Sequence, residues 1–196
     1  MNISGLALVS IFILAIFFSG CTSPSPAPSL VSSPAEADFD HLLLSTEDLP
    51  QGLILAAGGP MQASDITGSM KRFGARGGYR ALYTDAIPLT DKSKVMEQDI
   101  IIVNGPNASA MLDEHRKSFT ATTSKISTAL QMTDPGIGEK SFAVKITTTS
   151  PSGADTTYYA VGFVRSGIFE VLSAEGTPAT YPAFLQIAER AAEKIS

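Results

Sequence analysis

The sequence predicts an α+β domain: an antiparallel sheet of about six strands with helices packed on one face, in the order β-β-β-α-β-β-β-α. Several short segments alternate between apolar and polar side chains, which is the period of a β-strand. Two longer segments carry apolar residues at helical spacing, each after a group of predicted strands. Hydrophobic residues make up 44% of the 196 residues and charged residues 17%, a composition typical of globular proteins.

The first half of the domain holds three predicted strands and one helix. The strands are expected near residues 53–57, 79–84 and 96–103, and a glycine-containing loop is expected between the first two. From Pro106 the apolar spacing changes to that of a helix, which begins with proline in its first turn and reaches Phe119. The first three strands are therefore expected to lie side by side before the chain crosses in a helix.

The second half repeats that order without visible sequence repetition. Strands are predicted near residues 141–149, 157–164 and 168–174. Ser166 and Gly167 fit a tight hairpin between the last two strands. A closing helix from Tyr181 carries one apolar stripe and ends near Ile195.

The N-terminal segment, residues 1–20, is predicted to be an export signal. Its apolar run is about 14 residues long, which is shorter than the ~20 residues that an α-helix needs to cross a bilayer. The small residues Ser19 and Gly20 follow the run, as a signal peptidase requires, and Cys21 comes next. Cys21 is also the only cysteine, so the chain has no intrachain disulfide.

The string Phe18-Ser19-Gly20-Cys21 resembles the lipobox of prokaryotic lipoproteins. The resemblance implies that the Cys21 thiol carries a lipid, and that membrane lipid is therefore a partner of the chain. It also implies a location at the extracytoplasmic face of the cell membrane. An uncleaved membrane anchor and a plain secretory signal are the alternatives for residues 1–20.

The chain after Cys21 divides into a tether and a domain. Residues 21–38 are rich in proline and serine, which block regular hydrogen bonding and offer nothing to bury, so they are predicted to be a lipidated tether. Residues 39–196 are predicted to form one domain.

Three segments of this domain resemble a broad class of small prokaryotic surface lipoproteins, mostly uncharacterised. They are residues 48–52 (DLPQG), 134–142 (DPGIGEKSF) and 163–168 (FVRSGI). Domains of this class are often PsbP-like α+β sandwiches. The resemblance therefore implies a fold, and it implies no activity.

The chemistry-bearing residues form no recognisable catalytic motif. The net charge of −5 argues against nucleic acid as a partner. The sequence has no Gly-x-Ser-x-Gly elbow and no phosphate loop, and its two histidines, His41 and His115, offer little for a triad or a zinc site. We therefore predict no catalytic residue, metal or cofactor, and we expect His115 to be packed against its neighbours.

A basic stretch in this acidic chain is the least expected feature. It is predicted to bind an anion or another ligand together with two tyrosines of the following strand: Lys71, Arg72, Arg76 and Arg80, with Tyr79 and Tyr83. The alternatives are a solvated loop for the basic residues and core packing for the tyrosines. Asn107-Ala108-Ser109 is a glycosylation sequon, usable where the start of its helix is accessible.

These observations favour a membrane-anchored extracytoplasmic lipoprotein with a non-enzymatic domain that binds an envelope protein, a polymer or a small ligand. One alternative is an envelope enzyme whose site is built from scattered residues such as Tyr83, Asp99 and His115. Another is a structural module that spaces envelope layers.

Overall fold

The computed structural model describes residues 39–62, 64–85, 95–103, 105–121, 124, 126–175 and 180–195. The predicted signal segment 1–20 and tether 21–38, including Cys21, lie outside these residues. The strands are β1 (Leu53–Pro60), β2 (Gly77–Asp85), β3 (Val95–Ile102), β4 (Ser127–Gln131), β5 (Lys140–Thr149), β6 (Asp155–Arg165) and β7 (Ile168–Glu175). The helices are α1 (Gly68–Arg72), α2 (Gly105–Ala121) and α3 (Tyr181–Lys194).

The strands form one sheet in the order β1-β2-β3-β7-β6-β5-β4, and all neighbours are antiparallel. The pairing of β3 with β7 joins the two halves of the chain. The predicted α+β class with an antiparallel sheet is therefore confirmed. The sheet has seven strands where we expected about six, because the short strand β4 lies between α2 and β5 in a segment without a clear alternating pattern.

The two long helices lie on opposite faces of the sheet, whereas we expected helices on one face. Met111 and Leu112 of α2 pack in the same cluster as Phe142 of β5. Phe184 of α3 packs with Phe163 of β6 on the other side. The cause is the interior strand β6, which is buried over residues 160–164 without a break and therefore needs cover on both faces. We call the two sides the α2 face and the α3 face.

The turn between β6 and β7 is the tight hairpin that the sequence predicts. Ser166 and Gly167 have φ angles of 51° and 76°, the left-handed conformations that a two-residue hairpin turn with the sheet's twist requires. The amide of Ser166 also donates to Oε1 of Glu139 at 2.9 Å, which ties the turn to the start of β5.

Each face has a second covering element besides its long helix. Residues 39–44, which we call the N-terminal strap, bury Phe39, Leu42 and Leu44 in the core of the α3 face. On the α2 face, Met70 of α1 and its neighbour Phe73 pack in the cluster that contains Ile101 of β3. The helix α2 itself packs over β4, β5, β6 and β7.

Candidate functional site

Two of the predicted basic residues, Lys71 and Arg72, lie in the short helix α1. The hydroxyl of Thr67 accepts a hydrogen bond from the amide of Met70 at 3.4 Å, which caps the start of the helix. The buried side chain of Met70 then fixes the helix on the sheet. This arrangement leaves Lys71 and Arg72 exposed.

The exposed basic surface extends to Arg76, which precedes β2. Its backbone amide donates to the carbonyl of Ile102 at 3.1 Å, while its side chain is exposed. Arg72 approaches Glu114 of α2 at 3.8 Å, but the two side chains are 69% and 43% exposed, so this ion pair contributes little to stability. Lys71, Arg72 and Arg76 therefore offer their charges to solvent.

Arg80, the fourth predicted basic residue, is engaged with carboxylates. It lies on β2 directly opposite Asp99 of β3. Its Nε and Nη2 donate to Asp99 Oδ1 and Oδ2 at 2.7 and 2.9 Å, and Nε is also 2.7 Å from Glu97 Oε1. The hydrogen bond to Asp99 and the two negative charges raise the pKa of Arg80 further above its usual range, so the guanidinium stays charged. Arg80 is therefore already engaged in a bidentate pair through Nε and Nη2, unlike the exposed basic residues.

Glu97 and Asp99 form a half-buried acidic pair that shares this one arginine. Burial raises the pKa of Glu97, the negative charge of Asp99 raises it further, and Arg80 acts in the opposite sense. The two carboxylates lie on the same face of β3, two residues apart. Among the described residues, the two carboxylates therefore share one guanidinium.

His115 of α2 lies within electrostatic reach of this cluster. Its ring packs edge-on against Phe169, with the ring centroids 5.0 Å apart, as expected for a packed histidine. Burial lowers the pKa of His115, while Asp99 acts to raise it. Two of the residues named for the enzyme alternative, Asp99 and His115, are thus brought near each other.

The two predicted tyrosines lie on the opposite side of the sheet from this cluster. Tyr83 is fully buried on the α3 face, and Tyr79 stacks beside Phe39 of the strap at a centroid distance of 5.7 Å. The structure therefore does not bring the six predicted ligand-binding residues to one surface. Anion binding by Lys71, Arg72 and Arg76 stays a prediction.

Asn107 lies at the exposed start of α2. The sequon is therefore accessible, and its modification stays a prediction. Among the residues that the structure describes, no group of three or more His, Cys, Asp or Glu side chains is arranged to hold a metal ion.

A buried polar network on the α3 face is the feature that sequence reasoning missed. The hydroxyl of Tyr83 donates to Gln98 Oε1 at 2.7 Å, and Gln98 Nε2 donates to Glu170 Oε1 at 2.8 Å. All three side chains are fully buried. The signal was present in the sequence, since Gln98 falls in the same alternating row as Met96 and Ile100, where a polar residue on a core-facing strand needs an explanation.

The large apolar side chains that the described residues expose are concentrated at the two edges of the sheet. Ile54 and Leu55 of β1 are 43% and 49% exposed, and Leu130 of β4 is 64% exposed. Ile126, which immediately precedes β4, is 58% exposed. Since β1 and β4 are the outermost of the described strands, each has one side that no described strand pairs with, and apolar side chains are exposed there.

In the described part of the chain, no helix is both long enough and apolar enough to cross a membrane. No family model matches the chain, and no curated protein matches its sequence.

Among solved structures, the chain is similar to the extracellular domain of PknH from Mycobacterium tuberculosis. The TM-score is 0.61 at 11% sequence identity, over 80% of this chain and 93% of that one. LpqN, involved in cell envelope biogenesis of the same organism, matches at 12% identity over 75% of this chain and 76% of that one, with a TM-score of 0.34, which is too low to indicate a shared fold. This α+β fold is therefore one that the PknH extracellular domain also has.

Proposed function

We propose that this chain is an extracytoplasmic lipoprotein, anchored through a lipid on Cys21, whose domain binds a neighbouring envelope protein along a free edge of its sheet. The observation that carries the binding proposal is that the large apolar residues exposed in the described part of the chain, Ile54, Leu55, Ile126 and Leu130, lie in or directly beside the two edge strands. Monomeric proteins usually protect such edges with charge or proline.

The strand β1 is the better docking edge of the two. Its eight residues, LILAAGGP, include no charged side chain, and its only proline is the last residue. One side of β1 pairs with β2, while no strand pairs with its other side in the described ranges. A partner that adds an extended strand there would gain main-chain hydrogen bonds together with apolar contacts to Ile54 and Leu55.

The proposed location and anchor have separate support. The lone cysteine follows a short apolar run and two small residues, which is the pattern of a lipid-modified export signal. The fold likeness to a domain that is extracellular in PknH agrees with a domain outside the cytoplasm. We also propose that the domain is PsbP-like.

Site-specific photo-crosslinking in the native envelope tests the binding proposal. A photoreactive residue at Leu55 is expected to give one discrete adduct with an envelope protein, and Ile54→Lys in the same chain should abolish it by placing a charge on the edge. The matched control carries the photoreactive residue at Glu189, an exposed position on α3. The same adducts at both positions, or no adduct at Leu55, would overturn the proposed edge.

A further inference from the structure

The two edge strands are the strands of the described sheet that carry no charge. Each of the five interior strands has at least one charged side chain, whereas β1 and β4 have none. Proteins that stay monomeric often place charge on their edge strands, so this distribution is the reverse of the usual one. The strand β1 is the edge that we assign to an envelope protein, and β4 (Ser127–Gln131) is a second edge that this assignment leaves unexplained.

Hydrogen bonds at its two ends show which way the main chain of β4 points. The amide of Met132 donates to the carbonyl of Ala143 on β5 at 2.9 Å, and the carbonyl of Ile126 accepts from the amide of Thr149 on β5 at 2.8 Å. The register between β4 and β5 is unbroken, and the main-chain groups of alternate residues in an antiparallel strand point to the same side. Even-numbered residues of β4 therefore bond to β5, and odd-numbered residues point away from it.

Two residues of β4, Ala129 and Gln131, direct main-chain groups to the side that no described strand pairs with. The third odd-numbered residue, Ser127, is already bonded, because its amide donates to the carbonyl of Ser124 at 3.4 Å and its carbonyl accepts from the amide of Ser124 at 2.9 Å. Leu130 lies between Ala129 and Gln131. A partner strand centred on Leu130 would therefore meet the main-chain groups of both.

The side chain at this centre is apolar and exposed. Leu130 is 64% exposed and lies on the α3 face, in register with Lys145 of β5 and, through it, with Tyr159 of β6. Tyr159 packs against the core of that face, whereas Ala129 packs against the cluster of the α2 face. The edge thus presents an exposed leucine midway between its available main-chain groups.

We propose that β4 pairs with β4 of a second copy of this chain, in antiparallel register about a two-fold axis at Leu130. Ala129 then lies opposite Gln131 of the second copy, and each such pair exchanges both of its main-chain hydrogen bonds. Leu130 lies opposite Leu130 of the second copy in a non-hydrogen-bonded pair, the arrangement that brings facing side chains closest. One surface serves both copies, so the assembly closes at two chains.

The place where the chain enters the domain supports a second copy as the occupant. The described chain begins at Phe39, which is buried in the core of the α3 face. Two identical antiparallel strands of one sheet are related by an axis perpendicular to the sheet, which keeps the α3 faces of both copies on the same side. Both chains therefore enter from one side of the paired sheet, and the lipids proposed on Cys21 of both copies can insert into the same membrane.

The shortness of β4 also favours a second copy. A pairing over five residues is small beside the interfaces of about 1,200 to 2,000 Å² that hold stable complexes in solution. Copies anchored in one membrane share a plane, and this confinement raises their effective concentration, so that a small contact is sufficient. This step rests on the proposed lipid anchor, and it is independent of the protein proposed to bind β1.

Pairing through β4 leaves β1 of each copy at an outer edge of the joined sheet. The dimer therefore carries two equivalent β1 edges. A partner that is itself dimeric or clustered in the envelope would bind both edges with higher avidity than one edge alone.

Disulfide trapping of the full-length protein in its native membrane tests the register. In Leu130→Cys the two new thiols face each other, and a non-hydrogen-bonded pair with Cα atoms about 4.5 Å apart is within the range of a disulfide. Mild oxidation should therefore join the chains into a covalent dimer of twice the monomer mass. The wild type, oxidised in parallel, should give no covalent dimer, because the lipid occupies the thiol of Cys21.

Thr128→Cys is the matched control, because Thr128 is exposed and lies on the same face of the same strand. The axis at Leu130 places the two copies of position 128 four residues apart along the strands, on the order of 14 Å, which no disulfide spans. The dimer yield at position 130 should exceed that at position 128 by about tenfold or more. Both positions are exposed, so neither substitution is expected to disturb folding. Ile54→Lys, added to Leu130→Cys, should leave the yield unchanged, because it alters only β1.

Four outcomes would overturn the proposal. They are the absence of a dimer in Leu130→Cys, equal yields at positions 128 and 130, adducts of Leu130→Cys with another protein in place of a second copy, and loss of the dimer when Ile54→Lys is added. A covalent dimer of the wild type would refute the proposed anchor instead. Failure of the photo-crosslink at Leu55 with the β4 dimer intact would refute only the proposed partner of β1.

Discussion

Phe142 of β5 occupies the space that a side chain at Gly162 of β6 would need. The two residues are directly opposite each other in the antiparallel register, and both point to the α2 face. A Cβ atom built at Gly162 would lie 2.7 Å from Phe142 Cζ and closer still to Cε1. The ring of Phe142 is 2% exposed and packs against Phe119 of α2 at a centroid distance of 5.9 Å. The missing side chain therefore makes room for the aromatic contact between sheet and helix.

Gly162→Ala is expected to destabilise the domain by about 1 to 3 kcal/mol, because the ring of Phe142 cannot keep its place beside a new methyl group. The measurement is the urea midpoint of unfolding. Gly59→Ala in β1 is the control, since a Cβ there meets no atom within 4 Å. Equal midpoints for the two variants would show that Phe142 yields without cost.

Much of the fold could be predicted because it depends on local pattern. The alternation of apolar and polar residues predicted most of the strands, and the conformational preferences of Ser166 and Gly167 predicted the hairpin. The strand β4 has only five residues and depends on pairing with β5, so its own sequence carries little signal. The two-sided cover was missed although the unbroken apolar run 160–164 indicates a strand buried on both faces.

The site could be predicted only in part, because contacts between strands decide it. The sequence shows that Arg80 is basic, but only the register places it opposite Asp99 and beside Glu97. Tyr83 and Arg80 are three residues apart and so lie on opposite faces, as the period of two requires. The network of Gln98 and Glu170 joins positions 72 residues apart, which no local pattern connects.

The free energy of unfolding should depend on pH through Glu170. The unfolded chain exposes this carboxyl and releases its proton near pH 4.5, whereas the folded state keeps it to about pH 8 because burial raises the pKa. Stability should therefore fall as pH rises from about 4.5 to about 8, by roughly tenfold in the folding equilibrium per pH unit, and then level off.

Denaturant unfolding at a series of pH values measures this dependence, with Glu170→Gln expected to remove most of the slope. The hydrogen bond from Ser141 lowers the pKa of Asp134, which acts in the opposite direction in more acidic solution. Burial lowers the pKa of His115, which also acts in the opposite direction below its ordinary pKa, whereas burial raises the pKa of Glu97, which adds to the slope. A wild-type slope that survives in Glu170→Gln would place its origin in another group.

Cys21→Ser should abolish membrane retention, because serine cannot form the thioether that carries the lipid. Attachment of two acyl chains would bury some 30 methylenes at ~0.8 kcal/mol each, so the lipidated form is not expected to leave the membrane. Detergent-phase partitioning of the two forms is the measurement. Wild-type partitioning by the serine variant would favour an uncleaved anchor instead.

The exposed basic residues Arg72 and Arg76 should contribute to the binding of anionic vesicles and contribute little to the free energy of unfolding. Replacing Arg72 and Arg76 together by alanine should weaken binding to vesicles containing phosphatidylglycerol, while the free energy of unfolding changes by less than ~1 kcal/mol, because exposed charges contribute little to folding. Binding should also weaken with added salt, since surface charges are screened over about 8 to 10 Å at physiological ionic strength. Phosphatidylcholine vesicles are the uncharged comparison.

Arg80→Ala is the informative contrast, because it removes a basic residue that is already paired. Its loss removes the guanidinium that Glu97 and Asp99 share, so stability should fall by about 1 kcal/mol or more, allowing for the partial exposure of the cluster. Vesicle binding should stay near the wild-type level. If Arg80→Ala weakens binding as much as the double variant does, Arg80 must leave its carboxylates to meet the anion. If neither variant alters binding, the stretch from Lys71 to Arg76 is a solvated connection.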